Sequence, residues 1–318
     1  MTRPPATPDP DPHAVAAAAR ALGAGQLVIL PTETVYGLAA DAANPDAVAA
    51  IFEAKGRPRF NPLIAHVADL AAARRIAVLD DRAEQLAAAF WPGPLTLVLP
   101  VREGAGVCDL ARAGLDTVAV RVPAHPVIRA VLQAFGGAVA APSANRSGRP
   151  SPTTLADAVS ETGAAAALAL DGGACDVGVE STVVGLLEGP PQWLRAGGLE
   201  RARIEALIGP LAEAGADARR TPGRLVAHYA PDAPVRINAS AARPGEVYLS
   251  FGTGPETASD RLSLSETGDV REAAQRLFRL LRAADRRAPT AIAVAPIPDT
   301  GLGEAINDRL SRAAGKVG

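Results

Sequence analysis

Lysine, cysteine and aromatic residues are scarce in this sequence of 318 residues. The two cysteines, Cys108 and Cys175, are too few for a disulfide scaffold or a four-cysteine zinc site. Aromatic residues make up 3% of the chain, so its core must be built mainly from alanine, valine, leucine and isoleucine. The formal net charge of −2 argues against a dedicated polyanion-binding protein, although it allows a local basic site.

Lysine occurs only at Lys55 and Lys316, and the other 30 of the 32 basic residues are arginines. Alanine, glycine and proline are also abundant, which is the bias expected from GC-rich codons rather than from a physical requirement. A lysine kept inside such a chain stands out. We therefore expect Lys55 to have a specific role.

The sequence also lacks a long apolar run, since no segment approaches the ~20 uninterrupted apolar residues of a membrane-spanning helix. Residues 1–12 are rich in proline and aspartate and lack the apolar centre of a secretory signal. We interpret them as a short disordered tail. These features predict a cytoplasmic protein.

The length suggests about two domains, and the content of 48% hydrophobic and 21% charged residues is that of a globular protein. Over residues 13–208, short apolar runs alternate irregularly with helical patterns. This predicts an α/β fold of the α+β type, with a mixed, twisted sheet and flanking helices. Residues 209–234 lose this periodicity and are predicted to be a linker. Residues 235–318 again alternate strand and helix patterns, which predicts a small α/β domain.

The standard nucleotide-binding and metalloenzyme motifs are missing. The sequence contains no GxxxxGK[ST] motif, no GxGxxG after a predicted strand and no HExxH, and its four histidines lie far apart. No Ser-His-Asp or Cys-His arrangement is evident either. Any phosphate chemistry must therefore use a different scaffold.

The segment KGRPRFNPLI (55–64) places three cations within five residues, between a predicted helix and a predicted strand. A loop held by glycine and proline can present lysine as a point charge and arginine as a planar fork to a triphosphate. The alternative is a solvated basic turn. The isolated lysine favours the functional interpretation.

Two further loops are candidates. PTETVYGL (31–38) follows a predicted strand, at the position where open α/β sheets bind ligands, although an ordinary turn would also explain it. APSANRSGRPSPT (141–153) has small side chains that let backbone N–H groups approach phosphate or sugar, and its arginines add charge. A flexible Ser/Pro linker is the alternative, but the predicted strands on both sides argue against it.

Three single residues also need an explanation. Arg121 lies inside the apolar run 118–122, where a charge requires a partner such as a substrate carboxylate. His66 ends a predicted strand and is either structural or functional. Asp171 precedes two glycines and is expected in a turn, where it could hold a ligand amine or a metal.

Seven segments, taken together and in order, resemble the YrdC/Sua5 family of threonylcarbamoyl-AMP synthases. Each is moderately specific alone, and the seven in order are very specific. A later segment, TPGRLVAHYAPDAPV (221–235), is similar to the linker of the long, two-domain form, which a small Rossmann-like C-terminal domain follows. The seven segments are PTETVYGLAADA (31–42), KGRPRFNPLIAHV (55–67), FWPGPLTLVLP (90–100), VAVRVPAHP (118–126), APSANRSGRPSPT (141–153), DGGACDVGVESTVV (171–184) and LRAGG (194–198).

The resemblance implies a reaction of L-threonine, bicarbonate and ATP that gives threonylcarbamoyl-AMP and pyrophosphate. A tRNA threonylcarbamoyl-transferase complex would use this product to form N6-threonylcarbamoyladenosine at tRNA position 37. Mg2+ would enter with ATP, held through phosphates and waters without direct protein ligands. The protein itself would position the reactants and neutralise charge.

By motif position, the resemblance also implies three groups of site residues. Catalytic charge neutralisation falls to Lys55 and Arg57. The threonine-binding residues are Thr34, His66, Arg121, the Ala141 backbone and Ser181. The ATP-binding residues are Arg57, Asn61, Thr117, Ser143, Asn145, Ser151 and Arg195, with His228 and Tyr229 folding over the nucleotide as a lid.

Other functions stay open at this point. A carbamoyl-transfer enzyme of the hydrogenase-maturation type contains a related domain, but such chains are much longer and carry paired CxxC motifs. A non-catalytic RNA- or nucleotide-binding module is disfavoured by the net charge and by the lack of aromatic residues among the basic ones. A sugar-phosphate synthase with this fold would need an acidic metal cluster, which we do not find in the sequence.

Overall fold

The computed structural model describes residues 9–214, 229–253 and 260–315. Within these ranges, a 3-10 turn at Gly163–Ala165 accompanies the helices and strands. The helices are α1 (Pro12–Gly23), α2 (Pro45–Lys55), α3 (Leu70–Ile76), α4 (Asp81–Phe90), α5 (Asp109–Arg112), α6 (Pro126–Phe135), α7 (Leu155–Thr162), α8 (Arg201–Ile208), α9 (Val270–Asp285) and α10 (Leu302–Ala313). The strands are β1 (Leu27–Leu30), β2 (Gly37–Asp41), β3 (Ile64–His66), β4 (Leu95–Pro100), β5 (Thr117–Arg121), β6 (Val139–Ala140), β7 (Ala166–Ala169), β8 (Thr182–Gly185), β9 (Gln192–Arg195), β10 (Ala212–Glu213), β11 (Val235–Arg236), β12 (Glu246–Phe251), β13 (Arg261–Ser265) and β14 (Ala291–Val294).

Ten of the described strands form one large sheet, in the order β10-β9-β8-β4-β5-β3-β6-β2-β1-β7. The sheet is mixed, because β3 is parallel to β5 but antiparallel to β6, and β4 is antiparallel to β5 but parallel to β8. Residues 9–214 are called the large-sheet part from here on. The mixed sheet with its flanking helices confirms the predicted fold class.

The remaining described strands form a small sheet in the order β11-β14-β12-β13, and all its pairings are parallel. Helix α9 packs against both α10 and this sheet, and its Leu277, Phe278 and Leu281 are fully buried. A parallel sheet covered by helices is the arrangement implied for the second domain. Residues 229–253 and 260–315 are called the small-sheet part.

The described ranges cover the predicted tail and linker only in part. Residues 1–8 lie outside them, and α1 begins at Pro12 behind Asp11, whose side chain accepts a hydrogen bond from the backbone N–H of His13. Residues 215–228 of the predicted linker also lie outside. Before this gap, β10 pairs in parallel with β9 and so extends the large sheet. Among the described residues, no helix has both the length and the apolar character needed to cross a membrane.

Helix α2 leads directly into the KGRP segment, which begins at its last residue, Lys55. Asn44 caps the helix by accepting hydrogen bonds from backbone N–H groups of the first turn, and Pro45 occupies that turn. The helix ends at Lys55, and Gly56 follows in the left-handed conformation at φ 58°. Glycine adopts this conformation without a steric penalty, so the chain turns sharply and brings Arg57 towards the sheet.

The last residues of two neighbouring strands meet at one edge of the large sheet. In the register of the parallel pair β3 and β5, His66 lies opposite Arg121. Because parallel strands end at the same edge, both polar side chains are brought to one place. This edge holds the candidate site described below.

Buried ion pairs join the two parts of the chain. Arg309 Nε of α10 lies 2.9 Å from Glu180 Oε2, and Arg282 Nη1 of α9 lies 2.8 Å from Glu161 Oε1. All four side chains are buried. At Gly178, an added Cβ would lie 2.4 Å from a backbone atom of α9. The two parts therefore pack closely, with charged groups inside the contact.

Candidate functional site

A pocket forms where the ends of β3 and β5 meet the loops that follow β1 and β6. Several of its lining residues were not singled out from the sequence, Thr32 and Glu180 among them. The predicted site residues that line it are Thr34, Arg57, His66, Arg121, Ala141, Ser143, Ser181, Arg195 and Tyr229. The structure thus brings together residues from six of the seven segments that resemble the family, and the segment that does not contribute is 90–100.

Arg121 is held from three directions. Its Nη2 lies 2.6 Å from Glu33 Oε1, its Nη1 lies 2.9 Å from Thr34 Oγ1, and its Nε lies 3.2 Å from the Gly93 carbonyl oxygen. The Arg121 and Glu33 side chains are 4% and 10% exposed. A guanidinium has five N–H donors, so these contacts fix its plane and leave further donors for an anion in the pocket.

Glu33 is the partner that the buried charge of Arg121 required. Its second carboxylate oxygen accepts a hydrogen bond of 3.0 Å from the backbone N–H of Ala124. The sequence interpretation expected a substrate carboxylate and did not single out Glu33. Its position in the PTETVYGL segment, next to a predicted threonine ligand, was the available signal.

His66 is buried and uncharged in this site. Burial, reinforced by the nearby charge of Arg121, lowers the pKa of His66 to about 3. Its Nδ1 lies 3.1 Å from the Ile64 carbonyl oxygen, which fits a neutral ring that donates its Nδ1 proton. His66 therefore adds a polar group to the pocket without adding charge.

Arg57 and Arg195 supply the other two guanidinium groups of the pocket lining. Burial lowers the pKa of Arg57 to about 10, still well above neutrality. Its Nη2 donates to the Pro62 carbonyl oxygen at 3.2 Å. Arg195 donates from Nε and Nη2 to the Ser181 carbonyl oxygen, at 3.1 and 2.8 Å. Both guanidinium groups are thus oriented by backbone carbonyls.

Lys55 is buried behind the pocket lining rather than in it. Its Nζ donates to the backbone carbonyls of Ser143 and Asn145, and its side chain is almost fully buried. Burial, together with the charge of Arg57, holds the pKa of Lys55 well below its usual range. In this structure Lys55 holds the loop that carries Ser143.

Two predicted amide ligands differ in their surroundings. The side-chain nitrogen of Asn145 donates to the carbonyls of Arg146 and Arg149, at 2.7 and 2.9 Å, and so shapes the loop. Asn61 is 4% exposed, and neither its amide nitrogen nor its oxygen has a hydrogen-bond partner among the described residues. Buried amides are rarely left unpaired, so Asn61 is suited to a bound ligand.

The remaining predicted residues lie at different distances from the pocket. Ser151 stands behind it and donates its hydroxyl to Glu180 Oε1. Thr117 begins β5, about 13 Å along the strand from Arg121, and the structure does not bring it into the lining. Tyr229 lines the pocket and is 1% exposed. His228 lies outside the described residues.

The arrangement is suited to anions. Arg57, Arg121 and Arg195 face one small volume, whereas Glu180 is the one carboxylate among the described lining residues. The hydroxyls of Thr34 and Ser181 accept hydrogen bonds from Arg121 and Arg195, at 2.9 and 3.1 Å. Such a pocket can bind a carboxylate and a polyphosphate side by side and stabilise negative charge that develops between them.

Comparisons with known proteins define the class of this protein. The family model for Sua5, YciO and YrdC proteins, described as "Telomere recombination", matches residues 20–197. A second model, described as "Threonylcarbamoyl-AMP synthase, C-terminal domain", matches residues 199–315. The chain belongs to the Sua5/YciO/YrdC family, which confirms the resemblance of its sequence segments.

Individual relatives agree over nearly the whole chain. The threonylcarbamoyl-AMP synthase of Pyrococcus abyssi is 41% identical over 313 residues, covering 92% of this chain and 91% of the relative. That of Bacillus subtilis is 38% identical over 326 residues, covering 96% and 94%. The crystal structure of P. abyssi Sua5 complexed with L-threonine matches with a TM-score of 0.89 at 39% identity, covering 97% of both chains.

Proposed function

We propose that this chain is a threonylcarbamoyl-AMP synthase, which converts L-threonine, bicarbonate and ATP into threonylcarbamoyl-AMP, pyrophosphate and water. The observation that carries the proposal is the grouping of Arg57, Arg121 and Arg195 around one pocket. The reaction brings together a substrate carboxylate and a triphosphate, so it needs two anion-binding centres a short distance apart. The relatives with this name cover the same length of chain.

In this proposal Arg121 binds the threonine carboxylate. Thr34, His66, Ser181 and the Ala141 backbone surround the rest of the amino acid. The threonine amine must lose a proton before it attacks carbon dioxide, or bicarbonate with loss of water, to form the carbamate. Positive surroundings favour the neutral form of an amine.

The nucleotide lies on the other side of the same pocket, against Arg57, Arg195 and Ser143. The carbamate oxygen attacks the α-phosphorus of ATP, a new P–O bond forms, and pyrophosphate leaves. Negative charge grows on the phosphate oxygens during this step, and the fixed guanidinium groups stabilise it without having to reorganise. The unpaired amide of Asn61 supplies a further nucleotide contact.

Mg2+ enters this scheme with ATP, as part of the substrate. The carboxylate of Glu180, in the described pocket lining, accepts hydrogen bonds from Arg309 and from the hydroxyl of Ser151. Within the described residues, no group of three or more His, Cys, Asp or Glu side chains could hold a metal ion. Coordination by phosphate oxygens and water fits these surroundings, and it neutralises the leaving pyrophosphate.

Tyr229 lines the pocket from the side of the small-sheet part, which supports its proposed role as a lid over the nucleotide. Its ring packs on Phe278 of α9 with the ring centroids 5.4 Å apart. The next residue, Ala230, donates its backbone N–H to the Gly148 carbonyl oxygen at 2.7 Å. A cover of this kind protects a mixed anhydride from water. We keep His228 in the same role as a prediction.

The product is used in N6-threonylcarbamoyladenosine formation at tRNA position 37. We propose that a tRNA threonylcarbamoyl-transferase complex receives it and that the protein works in the cytoplasm, where tRNA is modified. We also propose that the chain has a catalytic domain over 13–208 and a C-terminal domain over 235–318, as inferred from the sequence.

Mass spectrometry of the purified protein incubated with ATP, Mg2+, L-threonine and bicarbonate tests the function. We expect threonylcarbamoyl-AMP and pyrophosphate, and we expect pyrophosphate release to depend on threonine. Replacing threonine with 2-aminobutyrate should lower kcat/KM sharply, because a site built for a hydroxyl rejects the analogue that lacks it. The absence of the acyl-adenylate with active-site residues intact would overturn the proposal.

A further inference from the structure

Arg309, on α10 of the small-sheet part, is the most buried charged side chain among the described residues, with 0% exposure. Its Nε lies 2.9 Å from Glu180 Oε2, and its Nη1 lies 2.6 Å from Asp308 Oδ2. Its guanidinium carbon stands 5.2 Å from the centre of the Tyr229 ring. One arginine therefore contacts both a carboxylate and an aromatic ring of the pocket lining.

Glu180 is the carboxylate that needs this partner. Burial alone would raise the pKa of Glu180, but the charges of Arg309 and Arg195, with the hydrogen bond from Ser151, hold it below its usual range. The carboxylate is therefore ionised in a pocket that must accept polyphosphate. Its charge is compatible with that task only while a cation outside the pocket compensates for it.

Loss of Arg309 would affect its two carboxylate partners differently. Asp308 would keep Arg312, whose Nη2 lies 2.9 Å from Asp308 Oδ1. Of the two described arginines that lower its pKa, Glu180 would keep Arg195, which lines the pocket and is expected to face the nucleotide. The carboxylate would then compete with phosphate for Arg195 and would loosen its contact with Ser151.

We infer that Arg309 is a positioning residue for nucleotide binding: it neutralises Glu180, keeps the Glu180 carboxylate on Ser151, and so leaves Arg195 available to the phosphates of ATP. The inference rests on the proposed function, because it takes ATP as the ligand that binds beside Arg195. It assigns to the small-sheet part a defined contribution to the site, made through one ion pair.

The test compares full-length wild-type protein with Arg309→Gln, using a non-hydrolysable ATP analogue and L-threonine separately in calorimetric titrations. We expect the dissociation constant of the ATP analogue to rise about tenfold, within the range of ordinary energetic coupling between sites. The dissociation constant of threonine should rise by a smaller factor, because Arg121 keeps its contacts with Glu33 and Thr34 and the threonine site is linked to Arg309 only through Arg195 and Ser181. A general loss of structure would weaken both ligands together.

Glu304→Ala is the matched control. Glu304 lies on the same helix, and its Oε1 accepts a hydrogen bond of 2.8 Å from Trp193 Nε1 of the large-sheet part. The variant breaks another contact between the two parts without touching Glu180. We expect its affinity for the ATP analogue to stay within about twofold of wild type, as for independent sites.

The double variant Glu180→Gln/Arg309→Gln separates the charge effect from packing. It buries no uncompensated carboxylate, so it remains informative even where Arg309→Gln alone fails to fold. We expect it to regain most of the wild-type affinity for the ATP analogue. An affinity as poor as that of the single variant would overturn the inference, as would wild-type affinity in folded Arg309→Gln.

The outcomes also distinguish this inference from the proposed function. Wild-type protein that makes the acyl-adenylate, together with an Arg309→Gln variant that binds the ATP analogue normally, would remove only the role of Arg309. Wild-type protein that binds no ATP analogue would remove the proposed function, and this inference with it.

Discussion

The two charged walls of the pocket are built in different ways. The wall around Arg121 comes entirely from the large-sheet part, where Glu33 and Thr34 lie close to Arg121 along the same sheet edge. The wall around Arg195 includes Glu180, whose ion-pair partner Arg309 belongs to the small-sheet part. The first wall is complete once the large sheet has folded, whereas the second requires the two parts to dock. Threonine binding and nucleotide binding should therefore respond differently to substitutions.

The largest effect is expected from Arg121→Gln. This change removes the proposed carboxylate ligand and leaves the buried Glu33 without its cation. Removal of one partner of a buried charge pair at a binding site costs about 2–5 kcal/mol, so threonine affinity should fall about 100-fold. Affinity for an ATP analogue should change little, because the other wall is intact. Calorimetric titration with each ligand measures both.

The control for the Arg121 experiment is Arg20→Gln, which replaces an exposed arginine of α1. It should bind threonine like wild type. Equal threonine affinity in Arg121→Gln and wild type would show that the amino acid is bound elsewhere. Equal loss of both ligands would show that the two walls do not act separately.

Lys55→Ala should have the next largest effect, because Lys55 holds the loop between the two walls. Its Nζ donates to the carbonyls of Ser143 and Asn145, and Ser143 lines the pocket. Without the Lys55 amino group, two carbonyls lose their donor and the loop loses its position. We expect the barrier to adenylate formation to rise by about 2–4 kcal/mol, as for the loss of one preorganised donor. Single-turnover rates of pyrophosphate release measure this.

Denaturant unfolding of Lys55→Ala shows whether the protein remains folded. Normal turnover in folded Lys55→Ala would mean that neither the Lys55 amino group nor the loop position matters for the reaction. A rate loss with unchanged ligand affinities would assign Lys55 to the transition state, whereas weaker ATP binding would assign it to the loop.

The pH dependence of stability tests the neutral state of His66. Its pKa of about 3 lies below the value near 6.5 expected in the unfolded chain. The unfolded state therefore binds more protons between these values, so the stabilisation is complete above pH 6.5 and is lost as the pH falls towards 3. Between pH 7.5 and 5.0, His66 should account for a loss of about 2 kcal/mol in the free energy of unfolding.

His66→Gln provides the reference for that measurement. Urea unfolding of both proteins at the two pH values gives the difference due to His66, since all other titrating groups are shared. A wild-type curve parallel to that of His66→Gln would mean that the imidazole is protonated in the folded protein. The positive pocket would then carry a fourth charge beside threonine.

The sequence predicted the positions of site residues better than their partners. Strand patterns placed His66 at a strand end and Arg121 inside an apolar run. In the structure Arg121 is the last residue of β5, and the register of β3 and β5 places it opposite His66. Glu33 and Glu180 were not singled out, because their roles depend on Arg121 and Arg309, which lie 88 and 129 residues away. Side-chain pairing at such separations has no local signal.

Local signals are uneven along the chain. Helix α2 carries a cap and a glycine stop, whereas β2 lies in a segment with little strand signal. Residues 37–41 include two small alanines and lack β-branched residues, so strand propensity is weak there. Pairing with β1 and β6 makes this segment a strand.

The smallest effect is expected from removing one buried hydroxyl in each part. Tyr36 of the large-sheet part is fully buried, and its hydroxyl lies 2.7 Å from the Gly173 carbonyl oxygen and accepts a hydrogen bond of 3.1 Å from the Gly172 N–H. Tyr248 of the small-sheet part is 2% exposed, and its hydroxyl donates to the Ala239 carbonyl oxygen at 3.1 Å. Loss of a buried hydrogen bond that leaves its partner unsatisfied costs about 1–3 kcal/mol. Tyr36→Phe leaves both the Gly172 N–H and the Gly173 carbonyl oxygen without a partner. It should therefore lower the free energy of unfolding more than Tyr248→Phe, by about 1 kcal/mol. Urea unfolding of the two variants measures the difference.

Threonine affinity should be unchanged in Tyr248→Phe, and a loss there would show that the Arg121 wall also depends on the small-sheet part.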